Sequence, residues 1–301
     1  MEHHFELRES IHSPILYGTS YESTNVNGVV LFIHDVNENR FRYEDLASFF
    51  NDRHLAFVTY DLRGHHQSLI NDKKGHFGDD HGSNLLINDA LEVLGYIKNR
   101  FGDVPYLLMG HGFGAHLAKL VFDYNPNQFE QLILVNPLSL PKMSKVRHAV
   151  LNALTYRKPQ LKKRALNSWM GVAFNSNNEQ ERYSFLSHDK KIVSKYVSDP
   201  FCGYSLTQRA IRDALQVMIS SESLDLNASN TEINVTIIGG KDDPLTHYGR
   251  DLVALKRQFI KAGYNQTTLS IFDGLKHDVL KELHQSIHLY QLLENIVSKF
   301  Y

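Results

Sequence analysis

The sequence predicts an α/β fold, a mostly parallel doubly wound sheet with a helical cap insertion, on three observations. Short apolar runs rich in β-branched and aromatic residues recur along the chain, helical patterns lie between them, and the alternation breaks over residues 137–230. The runs are 29–33 (Val-Val-Leu-Phe-Ile), 55–60 (Leu-Ala-Phe-Val-Thr-Tyr), 106–109 (Tyr-Leu-Leu-Met), 132–135 (Leu-Ile-Leu-Val), 233–238 (Ile-Asn-Val-Thr-Ile-Ile) and 268–272 (Thr-Leu-Ser-Ile-Phe). Continuous apolar runs of this length read as strands buried on both faces, hence parallel. Between the second and third, Ile87, Ala90, Leu91, Leu94 and Ile97 keep the three-to-four spacing of one helix face, with Ser83 as the expected N-cap. Residues 279–300 read as a closing helix. In the break, Trp169, Phe174, Tyr183, Phe185, Tyr196 and Phe201 occur in mostly helical, loop-rich sequence. The expected division is a core of residues 1–136 and 231–301 and a cap of residues 137–230. Ligands of such a sheet sit beyond the carboxyl ends of its strands.

A chain of 301 residues can bury a sizeable core. Its 32 basic and 33 acidic residues leave a net charge of -1, so no global field favours nucleic acid, and none is expected as a partner. Charge is uneven locally. Residues 131–178 hold no acid but carry Lys142, Lys145, Arg147, Arg157, Lys158, Lys162, Lys163 and Arg164. This is either a solvated basic face or a site of peripheral contact with anionic lipid. The single cysteine, Cys202, cannot form an internal disulfide. With no charged-then-apolar leader and no long apolar run, that points to a cytoplasmic setting. The 17 histidines are scattered without paired ligand spacing, so no metal site is expected.

The chemistry concentrates at residues 107–115, Leu-Leu-Met-Gly-His-Gly-Phe-Gly-Ala. An apolar strand running into a Gly-x-Ser-x-Gly-type turn and then a helix is the context that presents a serine hydroxyl in α/β-hydrolases. Here the nucleophile position is Gly112, which offers neither lone pair nor proton, so acyl transfer through a hydroxyl cannot start there. The remaining triad members follow in the expected order. Asp243, in Gly240-Lys241-Asp242-Asp243-Pro244, and His277, in Gly274-Leu275-Lys276-His277-Asp278, each come just after a predicted strand, as a shared site requires. Asp242 competes for the acid role, and Asp278 reads as a helix N-terminal charge. For an oxyanion hole, Phe113 N–H supplies one donor and the loop His34-Asp35-Val36 the other. A carboxylate beside an oxyanion is repulsive in low dielectric, which leaves two readings of Asp35: facing the site, or turned outward as a turn residue. Cys202 and Ser68 lack an elbow and read as a packed thiol and a loop hydroxyl.

With these residues in hand, the chain resembles the monoacylglycerol lipase and lysophospholipase branch of the α/β-hydrolases, the serine aminopeptidase-like group, over nearly its whole length. The similar segments are His34-Asp35 with Asn39-Arg40-Phe41-Arg42-Tyr43, Asp61-Leu62-Arg63-Gly64-His65-His66-Gln67-Ser68, the elbow, Asp199-Pro200-Phe201-Cys202-Gly203-Tyr204, and the two loops bearing Asp243 and His277. The resemblance favours Asp243 over Asp242. It implies cofactor-free hydrolysis of lipid or other small carboxylic esters and a small apolar or acyl-bearing ligand. The departures are Asp35 for a glycine, His66 for a glycine and Gly112 for the serine. Several losses around one site point to natural decay into a protein inactive as written. The alternatives are an esterase or lysophospholipase whose nucleophile alone was replaced, a non-catalytic ligand-binding protein, and a site where His277 and Asp243 still activate water.

Overall fold

The computed structural model describes residues 1–8, 13–156, 159–162, 178–224, 226, 232–284 and 286–300. Trp169, Phe174, Arg157, Lys158, Lys163 and Arg164 lie outside the described residues. Among the described residues eight strands form one sheet: β1 (Glu2–Leu7), β2 (Leu16–Tyr21), β3 (Gly28–Ile33), β4 (Leu55–Tyr60), β5 (Tyr106–His111), β6 (Gln131–Val135), β7 (Asn234–Gly240) and β8 (Thr267–Phe272). Their order is β1-β2-β4-β3-β5-β6-β7-β8, antiparallel at β1/β2 and β2/β4 and parallel from β4 to β8. The six apolar runs are the six parallel strands, and β3, β4, β5 and β6 are buried at every position.

Each face of the sheet carries its own core. On one face Phe32, Phe57, Met109 and Ile133 pack with Phe49 and Phe50 of α1 (Glu44–Asn51) and Leu289 and Leu293 of the closing helix. On the other, Leu31, Val58, Leu108 and Leu134 pack with Leu86, Ala90, Val93 and Ile97 of α2 (Gly82–Phe101) and Leu117 and Val121 of α3 (Phe113–Tyr124). Burying both faces is what a doubly wound sheet requires. Between β6 and β7 the described helices are α4 (Ser144–Thr155), α5 (Glu179–Arg182), α6 (Lys190–Ser198) and α7 (Gln208–Glu222), and α7 packs against α2, α3 and α4. After β7 come α8 (Arg250–Lys261) and α9 (Ile287–Val297).

Two expectations are corrected. The N-cap of α2 is His81, in the left-handed region at φ 53°, and Ser83 falls inside the first turn. The closing helix is two pieces, a 3₁₀ turn at Val279–Glu282 and α9. No helix among the described residues is long and apolar enough to cross a membrane.

Candidate active site

The chain forms β3, crosses to β4 on one side, then returns to place β5 on the other side of β3. The loops after β3 and β5 therefore meet at the topological switch point, where open α/β sheets hold ligands. Gly112, between β5 and α3, has φ 56° and ψ -118°, a conformation that strains any residue with a Cβ. Its N–H donates to the Val135 carbonyl at 2.9 Å. A Cβ on Gly114 would strike the carbonyls of Ile33 and His34, so glycine there lets α3 close onto the end of β3.

The loops after β7 and β8 bring the acid and the histidine to the same place. Asp243 Oδ2 lies 2.9 Å from His277 Nδ1, and both side chains are fully buried. Asp243 Oδ1 accepts from Leu245 N–H at 2.8 Å, which fixes the carboxylate. Asp242 is half-buried and pairs instead with His188 Nε2 at 2.8 Å. Asp278 does precede a 3₁₀ turn, but its carboxylate accepts from Arg42 at 2.6 Å rather than capping that turn.

Asp35 faces inward, which decides between its two readings. Its Oδ1 accepts from Phe113 N–H at 2.5 Å and from Val36 N–H at 2.7 Å, so both expected oxyanion donors converge on one oxygen of this carboxylate. Its Oδ2 lies 3.1 Å from His277 Nε2. An ideal Cβ built on Gly112 would fall among Cγ, Oδ1 and Oδ2 of Asp35. The glycine and the aspartate thus share one volume, and the repulsion argued from sequence is met by filling the donor pair with the side chain itself.

The imidazole of His277 sits between two carboxylates. Burial alone would lower its pKa, but the charge and hydrogen bond of Asp243, joined by those of Asp35, hold it well above the usual histidine value. For Asp35, burial would raise the carboxyl. The hydrogen bond and charge of His277, with His111 and the Phe113 N–H adding to them, hold it below the usual carboxylate range. Each ring nitrogen of His277 thus faces a carboxylate oxygen, the arrangement that suits an imidazolium.

A second buried chain supports the elbow from below and escaped the sequence reading. His111 Nε2 donates to the His277 carbonyl at 3.0 Å, and its Nδ1 lies 2.8 Å from Tyr43 Oη. The Tyr43 hydroxyl donates to Glu38 Oε2 at 2.5 Å. Burial, against the opposing charge of Arg42, pushes the Glu38 carboxyl up to about 7. Asn136 Nδ2 also donates to the His277 carbonyl, at 2.7 Å. The signal available in sequence was the placement of His111 inside the elbow and of Tyr43 in the block after β3. Glu38, His111 and Asp278 come close enough to share an ion. Their donor atoms are already engaged by Tyr43, the His277 carbonyl and Arg42, a cation that disfavours a metal there.

Cys202 is buried, with burial pushing the thiol up, and it donates to Asp199 Oδ2 at 3.3 Å. Ser68 Oγ accepts from Tyr17 N–H at 3.0 Å. His66 reaches Asp61 Oδ2 at 3.0 Å, and its ring makes a T-shaped contact with Phe201. None of these joins the Asp35–His277–Asp243 cluster.

The family model for serine aminopeptidase, S33, matches residues 24–284, which spans the three loops of the cluster and the elbow. The chain belongs to the serine aminopeptidase S33 family. The monoacylglycerol lipase of Mycolicibacterium smegmatis is 23% identical over 289 residues, covering 94% of this chain and 93% of its own. A monoglyceride lipase homolog of Monkeypox virus is 23% identical over 263 residues, covering 86% and 84%. Among solved structures, a lipase in its open form superposes with TM-score 0.88 at 19% identity, over 100% of this chain and 99% of that one. The monoacylglycerol lipase of Paleococcus ferrophilus gives TM-score 0.69 at 19% identity, over 94% and 98%. The α/β-hydrolase fold is thereby established for the chain, which is similar in sequence to monoacylglycerol lipases.

Proposed function

We propose that this S33-family chain is silent toward acyl esters and binds a small apolar or acyl-bearing ligand. One observation carries the reading: Phe113 N–H and Val36 N–H are both spent on Asp35 Oδ1. An ester carbonyl oxygen needs those donors as it gains charge, and removing even one such donor costs an acyl-transfer enzyme about 100–1,000-fold. Here an ester would also bring a second negative oxygen against a buried carboxylate. The roles we assign are Gly112 as the empty nucleophile position, Asp243 and His277 as the retained acid and base, and Asp35, Val36 and Phe113 as the filled oxyanion site. We read residues 137–230 as the cap. The chain is taken to need no cofactor.

The test assays wild type, Gly112→Ser, Asp35→Gly and the double variant against nitrophenyl esters, monoacylglycerols and lysophospholipids. Wild type and both single variants are expected to be inert, and the double variant to turn over ester. Release of nitrophenol by wild type above the no-enzyme rate sinks the reading. A lone engineered replacement of the nucleophile predicts instead that Gly112→Ser restores activity by itself. The overlap of a residue-112 Cβ with the Asp35 carboxylate argues against that and for substitutions that adapted together.

The apolar line along α4, beside Lys142 and Lys145, supports peripheral contact with anionic lipid. A cytoplasmic setting fits the single buried thiol.

A further inference from the structure

Asp35 holds its two oxygens in unlike surroundings. Oδ1 takes two backbone N–H groups, whereas Oδ2 faces His277 Nε2 at 3.1 Å, and that ring is backed by Asp243 at 2.9 Å. A carboxylate is a competent nucleophile toward carbon, and an ester formed through one of its oxygens leaves the other as the acyl carbonyl. If Oδ2 carries the new bond, that carbonyl oxygen is Oδ1, already seated between the donors that a tetrahedral intermediate at Cγ would need. We propose that Asp35 is a nucleophile in its own right, attacking the carbon of an epoxide through Oδ2 to form an alkyl ester that His277 and water then hydrolyse.

The substrate class follows from what the site has left. The two donors are occupied by Asp35 itself, so an acyl substrate finds no oxyanion site, but attack at a saturated carbon needs none. Opening an epoxide leaves an alkoxide that must be protonated, and the group against Oδ2 is a proton-bearing imidazole. A halide leaving group would leave that imidazole unused in the first step.

The steps balance with water as the only co-reactant. Oδ2 forms a bond to the epoxide carbon as the ring C–O bond breaks, and the ring oxygen takes the Nε2 proton of the imidazolium. Neutral His277 then removes a proton from water as its oxygen adds to Cγ, with the negative charge on Oδ1 held by Phe113 and Val36 N–H. Collapse breaks the Cγ–Oδ2 bond. The second water proton goes to the departing alkoxide, so the product is a diol carrying the original Oδ2, while Asp35 keeps one oxygen from water beside a restored imidazolium.

This inference rests on the reading that the acyl-ester route is closed, and its test separates the two. Wild-type protein in excess over styrene oxide, and separately over 1,2-epoxyoctane, is incubated in oxygen-18 water. The peptide spanning Asp35 is then weighed by mass spectrometry and the diol quantified. The expected result is diol whose newly introduced oxygen is unlabelled, a peptide heavier by one oxygen-18 at Asp35, and loss of diol formation to background in Asp35→Asn. Absence of diol with both epoxides overturns the proposal and makes Asp35 a plug. Diol formed with the label in the product and none in Asp35 also overturns it, because His277 would then be activating water directly. Either failure leaves the inertness toward esters standing, whereas ester turnover by wild type sinks the ester reading whatever the label shows.

Discussion

Serine placed at residue 112 alone asks one volume to hold two groups. Its Cβ would meet the Asp35 carboxylate, and its backbone would sit at φ 56°, outside the conformations L-residues prefer. Backbone strain and overpacking together predict a loss of about 2–5 kcal/mol for Gly112→Ser. Asp35→Gly in the same chain removes the overlap, so a double-mutant cycle by urea unfolding should return a coupling of about 1–3 kcal/mol in favour of the pair. Additive losses would mean the two side chains do not compete for space. The same carboxylate sets a pH dependence. His277 is raised by its two carboxylates, so its contribution to stability is full below the ordinary histidine value of about 6.5 and is lost as pH rises through the raised value. Asp35 is depressed by His277, so its contribution is present above the ordinary carboxylate value of about 3.9 and is lost as pH falls through the depressed one. The melting-temperature gap between wild type and Asp35→Asn should therefore be widest from about pH 4 to 6.5 and narrow as the pH is raised further. A gap that widens above that range contradicts the ion pair.

Among the connecting elements, the 3₁₀ turn Arg40–Tyr43 ties the loop after β3 to two strands through one guanidinium. Arg40 Nε donates to Thr19 Oγ1 of β2 at 2.9 Å, Nη1 pairs with Asp61 at the end of β4, and Nη2 donates to Gln67 Oε1 at 2.5 Å. Arg40→Ala leaves Asp61 buried without its cation and should cost about 3–5 kcal/mol by urea unfolding. Arg40→Lys should recover only part, since an ammonium cannot span three acceptors held in a planar fork. A loss under 1 kcal/mol for Arg40→Ala would show the turn is held by other contacts. Legibility in the sequence followed the same physical lines. The parallel strands were readable because both of their faces are apolar, whereas β1 was not, since Glu2, His3, His4 and Glu6 are exposed and only Phe5 is buried. In the closing helix, apolar spacing continued past Glu282, where the 3₁₀ turn ends before α9 starts at Ile287. Asp243 and His277 were legible because each follows a strand. The direction of Asp35 was not, because a side-chain torsion decides it. The Glu38–Tyr43–His111 chain joins positions 68 residues apart at its Tyr43–His111 link, a proximity that only the pairing of β3 with β5 creates.

For the whole molecule, a net charge of -1 gives no general attraction to an anionic surface, so any lipid contact must come from a local face. Helix α4 offers one. Val146, Val150 and Leu154 recur every four residues along it and are 51%, 43% and 47% exposed, with Met143 before the helix and Tyr156 after it more exposed still. An apolar line in water beside lysines suits the boundary between headgroups and acyl chains. A lysine near an anionic leaflet is worth about 1 kcal/mol, so Lys142 and Lys145 together supply about 2 kcal/mol, or roughly 30-fold in binding. Co-sedimentation should accordingly show the protein on vesicles containing phosphatidylglycerol and weakly on phosphatidylcholine alone, with Lys142→Gln/Lys145→Gln removing about that factor from the first and little from the second. Added salt should mimic the double substitution, because the screening length falls from about 10 Å at 0.1 M to about 3 Å at 1 M. Val150→Asp/Leu154→Asp should weaken both, since it removes the apolar line that either surface would bury. Equal binding to the two vesicle types, or binding indifferent to α4, would return this face to the solvated reading.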